Sequence, residues 1–232
     1  MFKSSIVIPE SDSHNRHADQ FRAFVMDATF PCVAARSAVN RDRMEFGLYS
    51  RLGDTVAARQ LCLDLAAFSE KYPSLGTDPV SFVAMFEQGV GDESSFIDGL
   101  WGHLQTMHHI DVGRYAWDRS VSDDPTSDSF SFSIAGRAFF VVGLSPKASR
   151  LARQAPFPCI AFNFHDQFEA LKLTGKQGGM QRVIRARDVQ LQGFINPVLA
   201  AYGDASEARQ YAGNSTADDW VCPFRSTHAQ PA

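Results

Sequence analysis

With 232 residues, 44% of them hydrophobic and 21% charged, the chain is long enough to bury a core without disulfide or metal staples. A net charge of −4, with lysines and arginines scattered singly, excludes a phosphate-tracking surface, so nucleic acid and anionic membranes are not expected partners. The four cysteines form no CxxC pair, and no stretch has the apolar length of a membrane span or the pattern of a signal peptide. A reducing cytoplasm is therefore the expected compartment.

In chain order, the spacing of Phe21, Phe24 and Val25 predicts an amphipathic helix from His14 to Asp27. The apolar stretch FPCVAARSAV follows, opened by Pro31, and Met44–Leu52 reads as a strand. Asp54 is a suitable N-cap for a helix reaching Lys71, with Val56, Leu61, Leu65 and Phe68 as its apolar residues. A β-like run at Val80–Phe86 precedes a helix from Asp92 to Ile110, with Phe96, Leu100, Leu104 and Met107 as its buried stripe. Val121–Ser129 is polar and turn-rich, hence a loop.

The clearest local signal is a β-hairpin: Phe130–Ile134 alternates, Ala135-Gly136-Arg137 turns, and Ala138–Leu144 is a continuous apolar strand expected inside a sheet. Cys159–Phe164 is a further buried strand, followed by helices at Asp166–Thr174 and Met180–Gln192 and a short helical turn at Pro197–Tyr202. The tail beyond Gly213 reads as irregular, and its last residues as frayed. No repeat or linker divides the chain. The expected fold is a single α+β domain over residues 1–232, ordered from 14 to 225, with a mostly antiparallel sheet of about five strands flanked by helices.

No phosphate loop, GxSxG elbow or HExxH motif is present, and the glycines of TGKQGG lack dinucleotide-binding spacing, which leaves a turn between helices. His165 stands out because it ends the apolar strand CIAFNF at a helix start, where a side chain is held rigidly yet can face a cavity. A neutral imidazole there could ligate a metal or haem iron; the plainer reading is a half-buried residue shaping the turn. His103, His108 and His109 share one helix without a carboxylate at metal-site spacing, and at least two of them are expected on a solvated or edge face.

Cys32 in FPC and Cys222 in CPF could each offer a thiolate to haem iron, or serve as small buried hydrophobes. Arg182, Arg185 and Asp188 step by three along one helix side, where they could pair with each other or clamp carboxylates. The 19 phenylalanines, against five tyrosines and three tryptophans, suit either an aromatic core or the wall of a flat cofactor pocket.

Five segments in order resemble the YqcI/YcgG family: FPCVAARSA at Phe30–Ala38, FFVVGLSPKASRLAR at Phe139–Arg153, AFNFHDQFEAL at Ala161–Leu171, the run Ile184–Gly213, and WVCPF at Trp220–Phe224. Characterised relatives are haem-dependent N-hydroxylases of the guanidino group of arginine or an arginine-derived amino acid. The resemblance therefore implies haem b (iron protoporphyrin IX), dioxygen with an electron-donor protein or else hydrogen peroxide, and a small guanidino or amine substrate. It makes His165 the preferred axial ligand, with Cys32 and Cys222 as alternatives. Arg150, Arg185 and Arg187 become candidates for the haem propionates, Trp220 and Phe224 for the pocket wall, and Glu207 for the partner of a cationic guanidinium. In one departure the chain has Ser145, in GLSP, where the family pattern carries histidine. Ser145 is thus a candidate catalytic position if that histidine works on iron or protons, and a turn cap otherwise. The departure also motivates an alternative, a haem-binding sensor or carrier without oxygenase activity; oxygenation of a non-guanidine amine is a third reading.

Overall fold

The computed structural model describes residues 10–74, 78–175, 177–193, 206–214 and 219–227. Five strands form one sheet: β1 (Met44–Tyr49), β2 (Ser81–Phe86), β3 (Phe132–Ile134), β4 (Arg137–Leu144) and β5 (Cys159–Phe164), in the spatial order β1-β2-β5-β4-β3. The described helices are α1 (Glu10–Met26), α2 (Val33–Asn40), α3 (Thr55–Lys71), α4 (Glu93–Asp111), α5 (His165–Leu173), α6 (Gln177–Gln192) and the short α7 (Ala208–Tyr211). The architecture is the α+β arrangement expected, and the helical turn expected at Pro197–Tyr202 falls outside the described residues.

The sheet is mixed. β1 and β2 run parallel, joined by the crossover helix α3, whereas β2–β5, β5–β4 and β4–β3 are antiparallel. The middle strands are apolar on both faces because both faces are covered. Phe82, Ala84 and Phe86 of β2 and Ile160, Phe162 and Phe164 of β5 join a core with α3 and α4. The intervening Val83, Met85, Cys159 and Ala161 join a second core with Phe21 and Val25 of α1. Phe68 of α3 anchors the first core, stacked on Phe164 at 4.7 Å and set edge-on to Phe82 at 5.6 Å.

Local chemistry sets the boundaries. Asp54 caps α3 by accepting from Ala57 N at 2.9 Å, as its position foretold. Val56, expected on the apolar face of that helix, is 76% exposed. It lies five residues before Leu61, about 140° round the helix from it. The FPCVAARSAV stretch contains helix α2, whose N-cap is Cys32, with Sγ accepting from Ala35 N at 3.5 Å. In the hairpin, Ala135 and Gly136 both take positive φ, 54° and 73°, as a two-residue turn matched to strand twist requires.

Phe68 is 2% exposed, and truncating it removes a ring from the centre of the packed layer. Phe68→Ala is expected to cost about 3–5 kcal/mol, read as a lower urea midpoint with an unchanged m-value.

Candidate functional site

Antiparallel pairing of β4 with β5 sets Phe139 opposite Phe164, so the next residue, His165, emerges beside the start of β4. It opens α5 with its side chain 12% exposed. The Arg137 guanidinium lies 4.1 Å over the Phe164 ring and reaches Asp166 Oδ2 at 2.7 Å, bracing the junction from the β4 side.

Glu207, at the N-cap position of α7, approaches His165 from another element. Its side chain is 3% exposed, and Oε1 lies 3.5 Å from His165 Nδ1. That distance makes a loose charge-assisted pair, longer than a formed hydrogen bond, and Oε1 has no hydrogen-bond partner among the described residues. The other oxygen, Oε2, lies 3.2 Å from the hydroxyl of Tyr211, one helical turn along. Tyr211 is fully buried, and its Oη accepts from Phe132 N at 3.0 Å while lying 3.3 Å from Phe139 O. Phe132 and Phe139 are the pair of the β3–β4 ladder farthest from the turn, so the phenol continues the ladder where the strands part.

Asp118 is the further carboxylate that senses His165. Burial alone would raise its carboxyl. Hydrogen bonds from Ser120 N and Oγ and from Ala138 N, with the neighbouring His165, hold it below the ordinary carboxylate range. Neither Asp118 nor Tyr211 was singled out from the sequence. For Tyr211 a signal was available: in SEARQY it stands four residues after Glu207, one helical turn on the same face.

The structure brings His165 and Glu207 together, and the other predicted residues have surroundings of their own. Ser145 follows β4 at its far end, where Leu144 pairs with Cys159, about 20 Å along the ladder from His165. It is a turn cap: Oγ accepts from Lys147 N at 3.1 Å, and its carbonyl accepts from Ala148 N. Arg150 is buried in an ion pair with Asp188 of α6, Nη2 to Oδ2 3.0 Å, so Asp188 does not pair along its own helix as its spacing suggested. Arg185 and Arg187 are half-buried on the same helix, and Arg185 Nε and Arg187 Nη1 have no hydrogen-bond partner among the described residues.

Phe224 lies in the aromatic core, edge-on to Phe132 at 5.7 Å, and walls the interior from there. Trp220 packs on Trp101 at 6.0 Å, and Trp101 stacks on Tyr211 at 5.9 Å, which puts Trp220 one ring removed from the site. Cys222 is buried in the same core, its thiol pushed up to about 11 by burial. Cys32 keeps some exposed area but is packed closely by protein, and burial raises its thiol too. Thiolate is the ligating form, so both environments disfavour cysteine as an iron ligand.

Two surface clefts, of about 370 and 320 Å³, lie against α1 and between α3 and the hairpin; neither is lined by His165 or Glu207. Among the described residues no group of three or more His, Cys, Asp or Glu could hold a bare metal ion. No helix among them is long and apolar enough to cross a membrane.

The YqcI/YcgG family model matches residues 21–225, a span that includes all of β1 to β5, His165 and Glu207. The chain belongs to the YqcI/YcgG family. No curated protein and no solved structure matches it.

The α4 histidines correct the sequence reading. His103 and His108 are both fully buried, and His109 alone is exposed, because α4 is covered on two sides. The corner after β1 covers His103, whose Nδ1 accepts from Gly53 N at 3.0 Å. The C-terminal segment covers His108, whose Nε2 accepts from Thr227 N at 2.9 Å.

Burial pushes His103 down to about 4. The unfolded chain then binds a proton that the native state refuses, so this contribution is whole above pH 6.5 and is lost as pH falls towards 4. The fall from 6.5 to about 4 corresponds to roughly 3 kcal/mol. Asp111, pushed up to about 6 by burial, acts in the opposite sense over an overlapping range. His103→Asn keeps an acceptor for Gly53 N without the titration. Its stability, followed by urea unfolding from pH 7 to 4, is expected to fall less than that of the parent chain by about this amount.

Proposed function

We propose that the chain binds haem b through His165 and uses it to hydroxylate a terminal nitrogen of a guanidino group, with arginine or an arginine-derived amino acid as substrate. The observation that carries this reading is the His165–Glu207 pair, set inside a member of the family that the sequence resembles. A histidine whose Nδ1 is held by a carboxylate ligates through Nε2, with its ring plane fixed and its basicity raised. A porphyrin supplies four nitrogens of its own and needs one protein ligand, so a single histidine, its side chain 12% exposed and a carboxylate beside it, is a fitting donor.

Bound haem would supply the oxygen-activating centre; one oxygen atom comes from dioxygen with two electrons and two protons, or from hydrogen peroxide with release of water. Glu207 is engaged with His165 and Tyr211, so in this reading it serves the histidine, and the substrate cation is met by another carboxylate. Arg185 and Arg187, each with a buried unpartnered nitrogen among the described residues, keep their place as partners for the propionates. We place the protein in a reducing cytoplasm, where its four cysteines would stay free.

Protein produced with a haem precursor is expected to show a Soret band and one haem per chain by the pyridine haemochromogen assay. His165→Ala is expected to lose or shift that band, while Cys32→Ala and Cys222→Ala keep it. Turnover with arginine and other guanidines should yield a product heavier by one oxygen in the mass spectrum. A chain that stays colourless after added haemin overturns the reading. A haem-loaded chain that oxygenates nothing across guanidines and amines is a sensor or carrier.

A further inference from the structure

Between the sheet and the candidate ligand stands a residue that touches neither substrate nor iron in the proposed reading. Tyr211 Oη takes one hydrogen bond from Phe132 N–H, at 3.0 Å, and has a single proton to give. Two acceptors compete for it, the neutral Phe139 carbonyl at 3.3 Å and the Glu207 carboxylate at 3.2 Å. A charged acceptor at the shorter distance is the stronger one. Burial first, and the Glu207 charge second, hold the phenol well above its usual value, which favours the protonated, donating form.

The ring cannot swing away to choose another partner. It is stacked on Trp101 at 5.9 Å, tilted against Phe130 at 6.1 Å and met edge-on by Phe140 at 5.8 Å. The hydroxyl is therefore fixed on the sheet, and the carboxylate hangs from the hydroxyl. With Oε2 tied to Tyr211, the remaining oxygen, Oε1, points at His165 Nδ1.

We infer that Tyr211 is a positioning residue: its hydroxyl, seated between the β3–β4 ladder and Glu207, aims the carboxylate whose Oε1 lies 3.5 Å from His165 Nδ1 and so favours the Nδ1–H form. The inference rests on the reading of His165 and Glu207 as the site and adds the residue that sets their geometry. Among the described residues, Asp118 spends its oxygens on Ser120 and Ala138, and Asp166 pairs with Arg137. Glu207 is the carboxylate within 4 Å of His165 Nδ1.

The test uses the haem-free full chain, so that it does not depend on cofactor binding. Nitrogen-15 spectra of the histidine rings, assigned with His165→Gln, report which nitrogen of His165 carries the proton. The parent chain should show the Nδ1–H form. Tyr211→Phe keeps the stacked ring and removes the hydroxyl, and should move His165 towards the Nε2–H form or an average of the two. In a Glu207→Gln background the same substitution should cause no further change, because the effect passes through the carboxylate. Circular dichroism checks that the variants fold. If Tyr211→Phe does not fold, replacing tyrosine by 3-fluorotyrosine keeps the ring and strengthens the donor, and the His165 signals should move.

His165 signals unmoved by Tyr211→Phe, or by fluorotyrosine where that is the probe used, would overturn the inference, as would an equal response with Glu207 already replaced. In haem-loaded protein, Tyr211→Phe should lower the iron–histidine stretching frequency of the ferrous form. A chain that takes up no haem removes the proposed function and leaves the nitrogen-15 result standing on its own.

Discussion

Glu207 carries a carboxylate into the interior, its side chain 3% exposed, and a charge placed there without partners would cost several kcal/mol even after relaxation. The fold answers that cost from two directions. A phenol that is itself anchored to the backbone of β3 and β4 takes one oxygen, and a histidine at the end of β5 stands before the other. A hydrogen bond to a charged group contributes about 1.5–3 kcal/mol, so the phenol alone does not offset the burial. The arrangement holds only if the sheet fixes both partners at once. That requirement ties the candidate site to the hairpin, to the β4–β5 register and to the placing of α7.

The sheet meets the requirement through the way its strands end. β5 is the middle strand, paired on both sides, and both its faces are packed, so the residue that follows it inherits a backbone with little freedom. A side chain at such a point is held more closely than one on a surface loop. β3 is short and leaves β4 after three pairs, and the vacated edge is where the Tyr211 hydroxyl inserts. A longer β3 would have closed that edge with its own backbone and left the phenol without a seat.

Much of this was legible in the sequence, and what was not has a physical reason. Hydrophobic period placed the five strands and the main described helices within a few residues, because each strand or helix buries a stripe of its own. The hairpin was readable from its turn residues, and His165 from its place at a strand end. The parallel β1–β2 pair was not readable, since local pattern carries the burial of a strand but not the direction of its neighbour. The burial of His103 and His108 was missed for a similar reason: their partners, Gly53 and Thr227, lie 50 and 119 residues away. Glu207 was noticed as a carboxylate able to meet a cation, yet nothing local could show that its partner is His165, which approaches from another element.

The same logic gives meaning to Ser145, which lies far from His165 and still bears on it. The Ser145 amide donates to the carbonyl of Arg153, which pins the short helical turn Leu151–Arg153 against the end of β4. Arg153, half-buried and packed closely enough by protein to be pushed down to about 9, spends its guanidinium on three carbonyls: Gly143 O at 2.8 Å, Gln210 O at 3.1 Å and Tyr211 O at 3.4 Å. Two of those belong to α7, the helical turn that carries Tyr211 and is headed by Glu207. Gly213, at φ 82°, closes that segment where an added Cβ would press on the Arg153 side chain at 3.1 Å. The turn capped by Ser145 is therefore a mechanical support for the far end of α7, while the phenol and the carboxylate act at the near end. A residue there can shift Glu207 and Tyr211 without touching either, by moving the helix from which both groups hang.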